Sequence, residues 1–213
     1  MKKYIILLLI MVPLLLQSQT FKSYGLQGGY SLAGKGWEHP DSTGSYYHNK
    51  AFIQSINIGG YAEFLSKKYY STMLDIVLKF REYHFEYDLT PNSNDARLID
   101  NNMYILSIAA YEKLKMDFDR WSVYVFGGIR ANYRFKNSID YDILDVFTNS
   151  NEFTAGITTG IGFRKRIEKF LSISVDLYYD GDFTKMYESN YGYVRNNEFG
   201  IRIGFGPFNP ATK

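Results

Sequence analysis

The sequence predicts an all-β protein, an eight-stranded antiparallel up-and-down transmembrane β-barrel that follows an N-terminal signal peptide. Two patterns lead to this prediction. Apolar and polar residues alternate along eight segments, and the connections between those segments alternate between long and short. A tilted strand needs about 9 to 11 residues to cross a bilayer, with apolar side chains facing lipid, and transmembrane barrels have short turns on one side and long loops on the other.

Residues 121–135, with sequence WSVYVFGGIRANYRF, show the alternation most clearly. Successive side chains of a strand point to opposite faces. The odd positions therefore form an apolar face with aromatic residues at both ends, whereas the even positions include Arg130, Asn132 and Arg134. We interpret this segment as a membrane-crossing strand, because a soluble β-sandwich rarely needs a strand of such length.

The other segments repeat this pattern. In chain order the eight predicted strands are 21–32, 51–64, 69–87, 103–114, 121–135, 152–164, 170–179 and 196–208. Their apolar faces include Tyr24, Leu26, Tyr30 and Leu32 in the first strand, Phe52, Ile56, Ile58, Ala62 and Phe64 in the second, Leu74, Ile76, Leu78 and Phe80 in the third, Tyr104, Leu106, Ile108 and Ala110 in the fourth, Phe153, Ala155, Ile157, Ile161 and Phe163 in the sixth, and Phe199, Ile201, Ile203 and Phe205 in the eighth. In the seventh strand Ser172, Ser174, Asp176 and Tyr178 form the polar face.

The third strand changes its pattern beyond Arg81. From there the aromatic residues Tyr83, Phe85 and Tyr87 occupy the odd positions, which were polar before. The change predicts either a β-bulge near Glu82 or a strand that has left the bilayer at that point.

The connections between the predicted strands alternate in length. Residues 34–50, 88–102, 136–151 and 180–195 form long loops, and residues 65–68, 115–120 and 165–169 form short turns. The short turns are rich in lysine and arginine, whereas the long loops are rich in aspartate. The pattern places the long loops outside the cell and the short turns in the periplasm.

The N-terminus has the layout of a secretory signal peptide. Lys2 and Lys3 precede an apolar run over residues 4–16, which is shorter than the roughly 20 residues of a transmembrane helix. We expect residues 1–19 to be a cleaved signal peptide and residues 20–213 to form a single barrel domain. With no cysteine, the chain has neither a lipidation site nor a disulfide framework.

Charge argues against nucleic acid as a partner. The chain has 24 Lys and Arg, and loss of Lys2 and Lys3 with the signal peptide leaves 22, equal to the 22 Asp and Glu. A nucleic-acid-binding surface requires a clustered basic excess. We therefore expect no nucleic acid, and no motif calls for a cofactor.

The last predicted strand carries a recognition pattern. Its residues Glu198, Gly200, Ile203 and Phe205 are similar to the signal of outer-membrane barrels, in which a polar residue, a glycine, a hydrophobic residue and an aromatic residue follow at fixed spacing. With the strand spacing and the signal peptide, the chain resembles the PorT-like outer-membrane β-barrel proteins of Bacteroidota, and more loosely the OmpX and OmpA barrels. The resemblance implies location in the outer membrane of a Gram-negative bacterium, contact with its lipids and lipopolysaccharide, and insertion by the barrel-assembly machinery.

The inward positions of the predicted barrel hold charges of both signs. An eight-stranded barrel is just wide enough for its inward side chains to fill it. The predicted lumen network consists of Asp75, Lys79, Arg81, Arg130, Arg134, Asp176, Glu198 and Arg202. Because buried charges must be paired, we expect a filled, salt-bridged lumen. A narrow proton or ion path is the alternative, and a diffusion porin is not expected.

Signals for enzymatic or metal chemistry are weak. Acyl-modifying barrels that resemble PagL need a serine, a histidine and an acid. Of the three histidines only His84 falls on a predicted strand, and no His-x-Ser pair is present. The acidic loop residues Asp140, Asp142, Asp145, Asp180 and Asp182 could hold a divalent cation that bridges lipopolysaccharide phosphates, although loop carboxylates are usually solvated. We predict no catalytic, cofactor or metal site.

The sequence thus favours a non-enzymatic outer-membrane barrel with a filled polar lumen and a structural or partner-binding role through its long loops. Two alternatives stay open: an accessory component of an outer-membrane secretion or assembly apparatus, as the PorT-like resemblance implies for some members, and a lipid A-modifying enzyme. A soluble lipocalin-like barrel is the structural rival, and it would have an apolar interior and a polar exterior.

Overall fold

Eight long strands and two short ones make up the described part of the chain. The computed structural model describes residues 23–38, 52–88, 96–138, 149–168, 171–189 and 192–207. The strands are β1 (Ser23–Glu38), β2 (Phe52–Phe64), β3 (Tyr70–Asp88), β4 (Ala96–Asp117), β5 (Trp121–Ser138), β6 (Asn149–Ser150), β7 (Phe153–Arg166), β8 (Leu171–Asp182), β9 (Tyr187–Ser189) and β10 (Gly192–Pro207). The described ranges hold no helix that could cross a bilayer.

The long strands close into a barrel. β1, β2, β3, β4, β5, β7, β8 and β10 pair in that order, every pair is antiparallel, and β10 pairs back with β1. The short strands β6 and β9 pair with each other within the connections that flank β7 and β8. The predicted eight-stranded up-and-down barrel is confirmed.

The register of the strands fixes their tilt. Following the paired residues from Tyr24 of β1 around the barrel leads back to β1 at Gly34, a displacement of ten residues. In a closed sheet such a displacement requires the strands to tilt by roughly 35–45° from the barrel axis. Because of this tilt, inward side chains that are not register partners can lie at the same height along the barrel axis.

Burial shows that the interior of the barrel is polar and its exterior apolar. Along β5, Ile129 is 69 % exposed whereas its neighbour Arg130 is 3 % exposed. Along β10, Ile201 and Ile203 are exposed whereas Arg202 is buried. This polarity is the reverse of a lipocalin-like barrel and excludes that rival. It is the polarity that a strand needs when lipid surrounds it.

Aromatic residues mark both ends of the apolar exterior. At the end with the short turns, Trp121 stacks on Phe118 with ring centroids 3.9 Å apart. At the opposite end the pairs are Phe80 with Tyr104, Tyr133 with Phe153, and Tyr179 with Phe199, with ring centroids 5.5, 4.7 and 4.8 Å apart. Such girdles are typical of the two membrane interfaces of outer-membrane barrels.

The turn between β2 and β3 lies at the aromatic girdle on the side of the short turns. Lys67 and Lys68 place their ammonium groups 5.3 and 4.9 Å from the ring centroids of Tyr70 and Tyr69. Hydrogen bonds to these tyrosines raise the pKa of each lysine, so both side chains stay charged at neutral pH.

One alternative for β3 and several predicted strand ends are wrong. The register of β3 with β2 and β4 runs past Glu82 without a shift, which excludes a β-bulge there and leaves the other alternative, a strand that has left the bilayer. The register shift lies instead between β4 and β5, where Phe135 is the extra residue. Several strands also extend into predicted loops, because backbone pairing continues beyond the bilayer where an apolar outer face is no longer required; β1 reaches Glu38 and β4 begins at Ala96.

Candidate functional site

The lumen is the most elaborate site of the barrel. The structure places all eight predicted lumen residues inside, each at most 8 % exposed. They belong to β3, β5, β8 and β10. Seven of them divide into a middle cluster and an outer cluster, and the eighth, Arg134, is buried further along β5. A third cluster, which sequence reasoning missed, lies towards the short turns.

Arg202 is the centre of the middle cluster. Its guanidinium nitrogens lie 2.5 Å from a carboxylate oxygen of Asp75 and 2.9 Å from one of Asp176. The same guanidinium donates a hydrogen bond of 3.0 Å to the Tyr111 hydroxyl, which itself donates to Asp75. Tyr124 donates a short hydrogen bond to Asp176. One cation thus joins β10 to β3, β4 and β8 across the lumen.

Aromatic rings enclose this cation. The Arg202 guanidinium carbon lies 5.5–5.7 Å from the ring centroids of Tyr111, Phe126 and Tyr178. These rings and that of Tyr124 are each at most 7 % exposed. Cation–π attraction of this kind is stronger when the cation is desolvated. The rings also fill the middle of the lumen, so the cluster closes the barrel across its width.

The outer cluster pairs three cations with three carboxylates. Lys79 lies 2.7 Å from Asp180 and 3.1 Å from Glu198. The full set of ion pairs adds Arg81 with Glu198, Arg130 with Asp180, and Arg130 with Asp182. Glu198 also accepts a hydrogen bond of 2.5 Å from Ser31. Equal numbers of opposite charges leave this cluster formally neutral.

Asp180 and Asp182 correct the sequence analysis. Both were predicted in a loop and considered as cation ligands, because Asp-Gly-Asp is typical of turns. The structure continues β8 through Asp182 and turns both side chains inward, where Arg130 and Lys79 pair with them. Among the described residues no group of histidine, cysteine, aspartate and glutamate is arranged to hold a metal. The other candidates, Asp140, Asp142 and Asp145, lie outside the described residues.

Glu63 is the centre of the cluster that sequence reasoning missed. Its carboxylate lies 2.8 Å from Arg164, 3.8 Å from Lys113 and 3.7 Å from Lys115. Lys113 also lies 4.2 Å from the ring centroid of Tyr124, which connects this cluster to the middle one. The sequence analysis assigned these lysines to the end and turn of the fourth strand. Lys113 and Lys115 have the same parity as the buried Tyr111, and this alternation was the signal that could have placed both lysines in the lumen.

Glycines make room for the aromatic layer. A Cβ atom added to Gly200 would lie 2.6 Å from Cε1 of Tyr178, well inside van der Waals contact. We expect Gly200→Ala to lower the free energy of unfolding by about 1–3 kcal/mol, because the Tyr178 ring would have to shift and disturb the hydrogen bonds of its hydroxyl group with Asn57 and Glu198. Gly28→Ala is the matched control, since a Cβ there meets only a carbonyl oxygen at 3.8 Å. Urea unfolding in detergent measures both variants, and equal midpoints would contradict the prediction.

A cavity lies between the middle and outer clusters. It has a volume of about 30 Å³ and is lined by Asp75, Lys79, Arg130, Asp180 and Arg202 among others. A cavity of this size and polarity suits one or two water molecules. It therefore extends the hydrogen-bond network and does not form a passage.

Comparison with known proteins supports the fold. No family model and no curated protein matches the chain. Among solved structures, the outer membrane protein OprG from Pseudomonas aeruginosa is 10 % identical, with a TM-score of 0.57 over 87 % of this chain and 95 % of that one. The E. coli outer membrane protein W is 12 % identical, with a TM-score of 0.49 over 89 % and 98 % of the two chains. Neisserial surface protein A is 13 % identical, with a TM-score of 0.44 over 86 % and 96 %.

At 10 % identity the likeness to OprG shows the fold alone. The PorT-like resemblance is untested and stays a prediction. The closed barrel, its apolar exterior between two aromatic girdles and its charged interior nevertheless agree with that likeness. The chain has the fold of an outer-membrane β-barrel protein.

Proposed function

We propose that this protein is a non-enzymatic, integral outer-membrane barrel whose lumen is sealed, and which acts as a rigid platform in the membrane for interactions through its outer surfaces. The filled lumen is the observation that supports this proposal most directly. Three clusters of ion pairs follow one another along the axis, aromatic rings surround the cation of the middle one, and the cavity between the middle and outer clusters has room only for water.

The sealed lumen argues against a diffusion pore. A passage for hydrated solutes would need a continuous wet route, whereas Arg202 and the three rings around it occupy the cross-section at mid-height. Moving these groups aside would separate buried opposite charges, which is costly in a low-dielectric interior. Any work that the protein performs therefore falls to its exterior, its loops or its turns.

We expect the purified protein to give no stable open-channel current in planar lipid bilayers. It should also fractionate with outer membranes and migrate differently in detergent gels before and after heating, as a folded barrel does. A known porin reconstituted in the same bilayers provides the positive control. A reproducible current of porin size from the wild-type chain would contradict the proposal.

The last strand carries the proposed signal for assembly of this protein into the membrane. We propose that Glu198, Gly200, Ile203 and Phe205 of β10 form the strand that the barrel-assembly machinery reads. Ile203 and Phe205 point outward and are 43 % and 50 % exposed, whereas Glu198 points into the lumen. A machinery that binds the outer edge of β10 could thus reach the aromatic residue before the barrel closes.

Phe205→Ala tests this assignment. We expect it to slow insertion in cells several-fold, measured as the rate at which the heat-modifiable form appears after pulse labelling. Phe199→Ala removes an equally outward ring, 67 % exposed, from the same strand but outside the recognition pattern. Equal delays for the two variants would refute a specific signal at Phe205.

The absence of enzymatic activity is part of the proposal and is tested separately. Lipid A mass spectrometry before and after deletion of the gene should show the same acylation profile. A change in that profile would favour the lipid A-modifying alternative.

A further inference from the structure

Glu112 is a charged side chain on the lipid-facing surface of the barrel. We define the band as the outward positions of the eight long strands between the two aromatic girdles. Among the described positions of this band, Glu112 is the one acidic or basic residue. Lys165 also points outward, but it is the register partner of Trp121 and so lies in the girdle on the side of the short turns. Glu82 lies outside the band as well, because it follows Phe80 of the opposite girdle.

Glu112 lies well inside the band. Between it and the turn after β4 lie two other outward residues, Leu114 and Met116, which are 63 % and 61 % exposed. Glu112 lies five positions before Asp117 at the end of the strand, which places it about 12 Å above the turn at a rise of about 3.3 Å per residue and the tilt of a barrel strand. Its surroundings are thus those of acyl chains and not of headgroups.

The carboxylate of Glu112 has little compensation. The Thr72 hydroxyl on β3 donates one hydrogen bond of 2.7 Å to it, and no ion pair reaches it in the described part of the chain. On its other side its register partner on β5 is Gly127, which has no side chain. By contrast, each carboxylate of the three lumen clusters is paired with at least one cation.

Small residues leave the surface beside Glu112 open. Ala110 on β4 and Gly127 on β5 are both exposed, so a neighbouring segment can approach the sheet closely there. An ionisable group in hydrocarbon is costly and is found where it has a partner or a function. A carboxylate accepts hydrogen bonds and attracts cations, so the missing partner is a donor of positive charge or of hydrogen bonds.

We propose that the face of β3, β4 and β5 around Glu112 is a docking site for a second membrane-embedded protein that presents a lysine or an arginine at this depth. Charge complementarity favours a different protein over a second copy, because the described band of this chain has no cation to offer. The inference rests on the proposed role as a platform, and it names the face that the partner covers.

Site-specific photo-cross-linking in intact cells tests the proposal. With a benzoylphenylalanine probe at Val125, an outward neighbour of Gly127, we expect one discrete adduct heavier than the monomer by the mass of a distinct protein. Glu112→Leu should reduce that adduct at least five-fold, whereas Gln54→Leu, which replaces an outward polar residue on β2 that is in register with Glu82, should leave it unchanged. The same probe at Ile58, on β2, serves as the control for another face. Heat-modifiable migration verifies that each variant is folded.

Chemical labelling gives a second readout on the carboxylate itself. Dicyclohexylcarbodiimide adds to a carboxylic acid in an apolar environment, and an acyl shift retains the whole reagent as an N-acylurea with no leaving group. We expect the purified wild-type barrel in detergent to gain one reagent mass, Glu112→Gln to gain none, and the wild-type protein in native membranes to be protected.

Several outcomes would overturn the inference. These are the absence of an adduct, an adduct that Glu112→Leu leaves unchanged, an adduct of twice the monomer mass, and equal carbodiimide labelling in native membranes and in detergent. Failure of the platform proposal is distinguishable, because it would appear as a channel current from the purified protein.

Discussion

Arg202→Ala is expected to lower the free energy of unfolding of the barrel by about 3–5 kcal/mol. The substitution removes the cation that lies 2.5 Å from Asp75 and 2.9 Å from Asp176, and so leaves two buried carboxylates without their main counter-charge. It also empties the space among three aromatic rings. Urea unfolding in detergent, followed by tryptophan fluorescence, measures the loss.

Two further variants separate charge from packing. Arg120→Ala removes an arginine side chain that is 81 % exposed in a turn, and it should change stability by less than about 0.5 kcal/mol. Adding Asp75→Asn to Arg202→Ala should recover part of the loss, because one unpaired carboxylate is neutralised. If Arg202→Ala were as stable as Arg120→Ala, the middle cluster would not stabilise the barrel.

Glu198→Gln should also cost about 3–5 kcal/mol. The side chain keeps its shape but loses the charge that Lys79 and Arg81 share, and Glu198 is completely buried. The outer cluster would then hold three cations against two carboxylates. Stability must be measured on protein refolded in detergent, so that any effect on the assembly machinery does not contribute.

Glu168→Gln is the matched control for Glu198→Gln. Glu168 lies exposed in the turn between β7 and β8, where solvent screens its charge. We expect its unfolding midpoint to equal that of the wild type. A Glu198→Gln barrel with an unchanged midpoint would show that the cations of the outer cluster are satisfied without this carboxylate.

Alternation along the strands was sufficient to predict the fold and eight of the charged residues that point inward. Arg130 and Ile129 are adjacent, and parity alone assigned one to the lumen and the other to lipid. Strand ends could not be predicted in this way, because pairing beyond the bilayer depends on backbone hydrogen bonds and not on side-chain polarity. Asp180 and Asp182 were therefore assigned to a loop although β8 includes them.

The partners within the lumen were also beyond the reach of sequence. The ion pair between Arg202 and Asp75 joins residues 127 positions apart, and the tilt and displacement of the strands decide that they meet. The outward Glu112 was overlooked for a simpler reason. The predicted apolar face of its strand ended at Ala110, and Glu112 is the next residue on the same face.

The position of the lumen partners along the chain bears on how the barrel forms. β10, the last strand, carries both Arg202 and Glu198, whose main partners lie on β3 and β8. Until β10 arrives, Asp75 and Arg81 of β3 would lack these counter-charges in a half-built sheet. The final strand thus supplies the counter-charges for Asp75 and Arg81, which are synthesised more than a hundred residues earlier. An incomplete chain should consequently gain little by entering the bilayer, which makes insertion and closure a single all-or-none event.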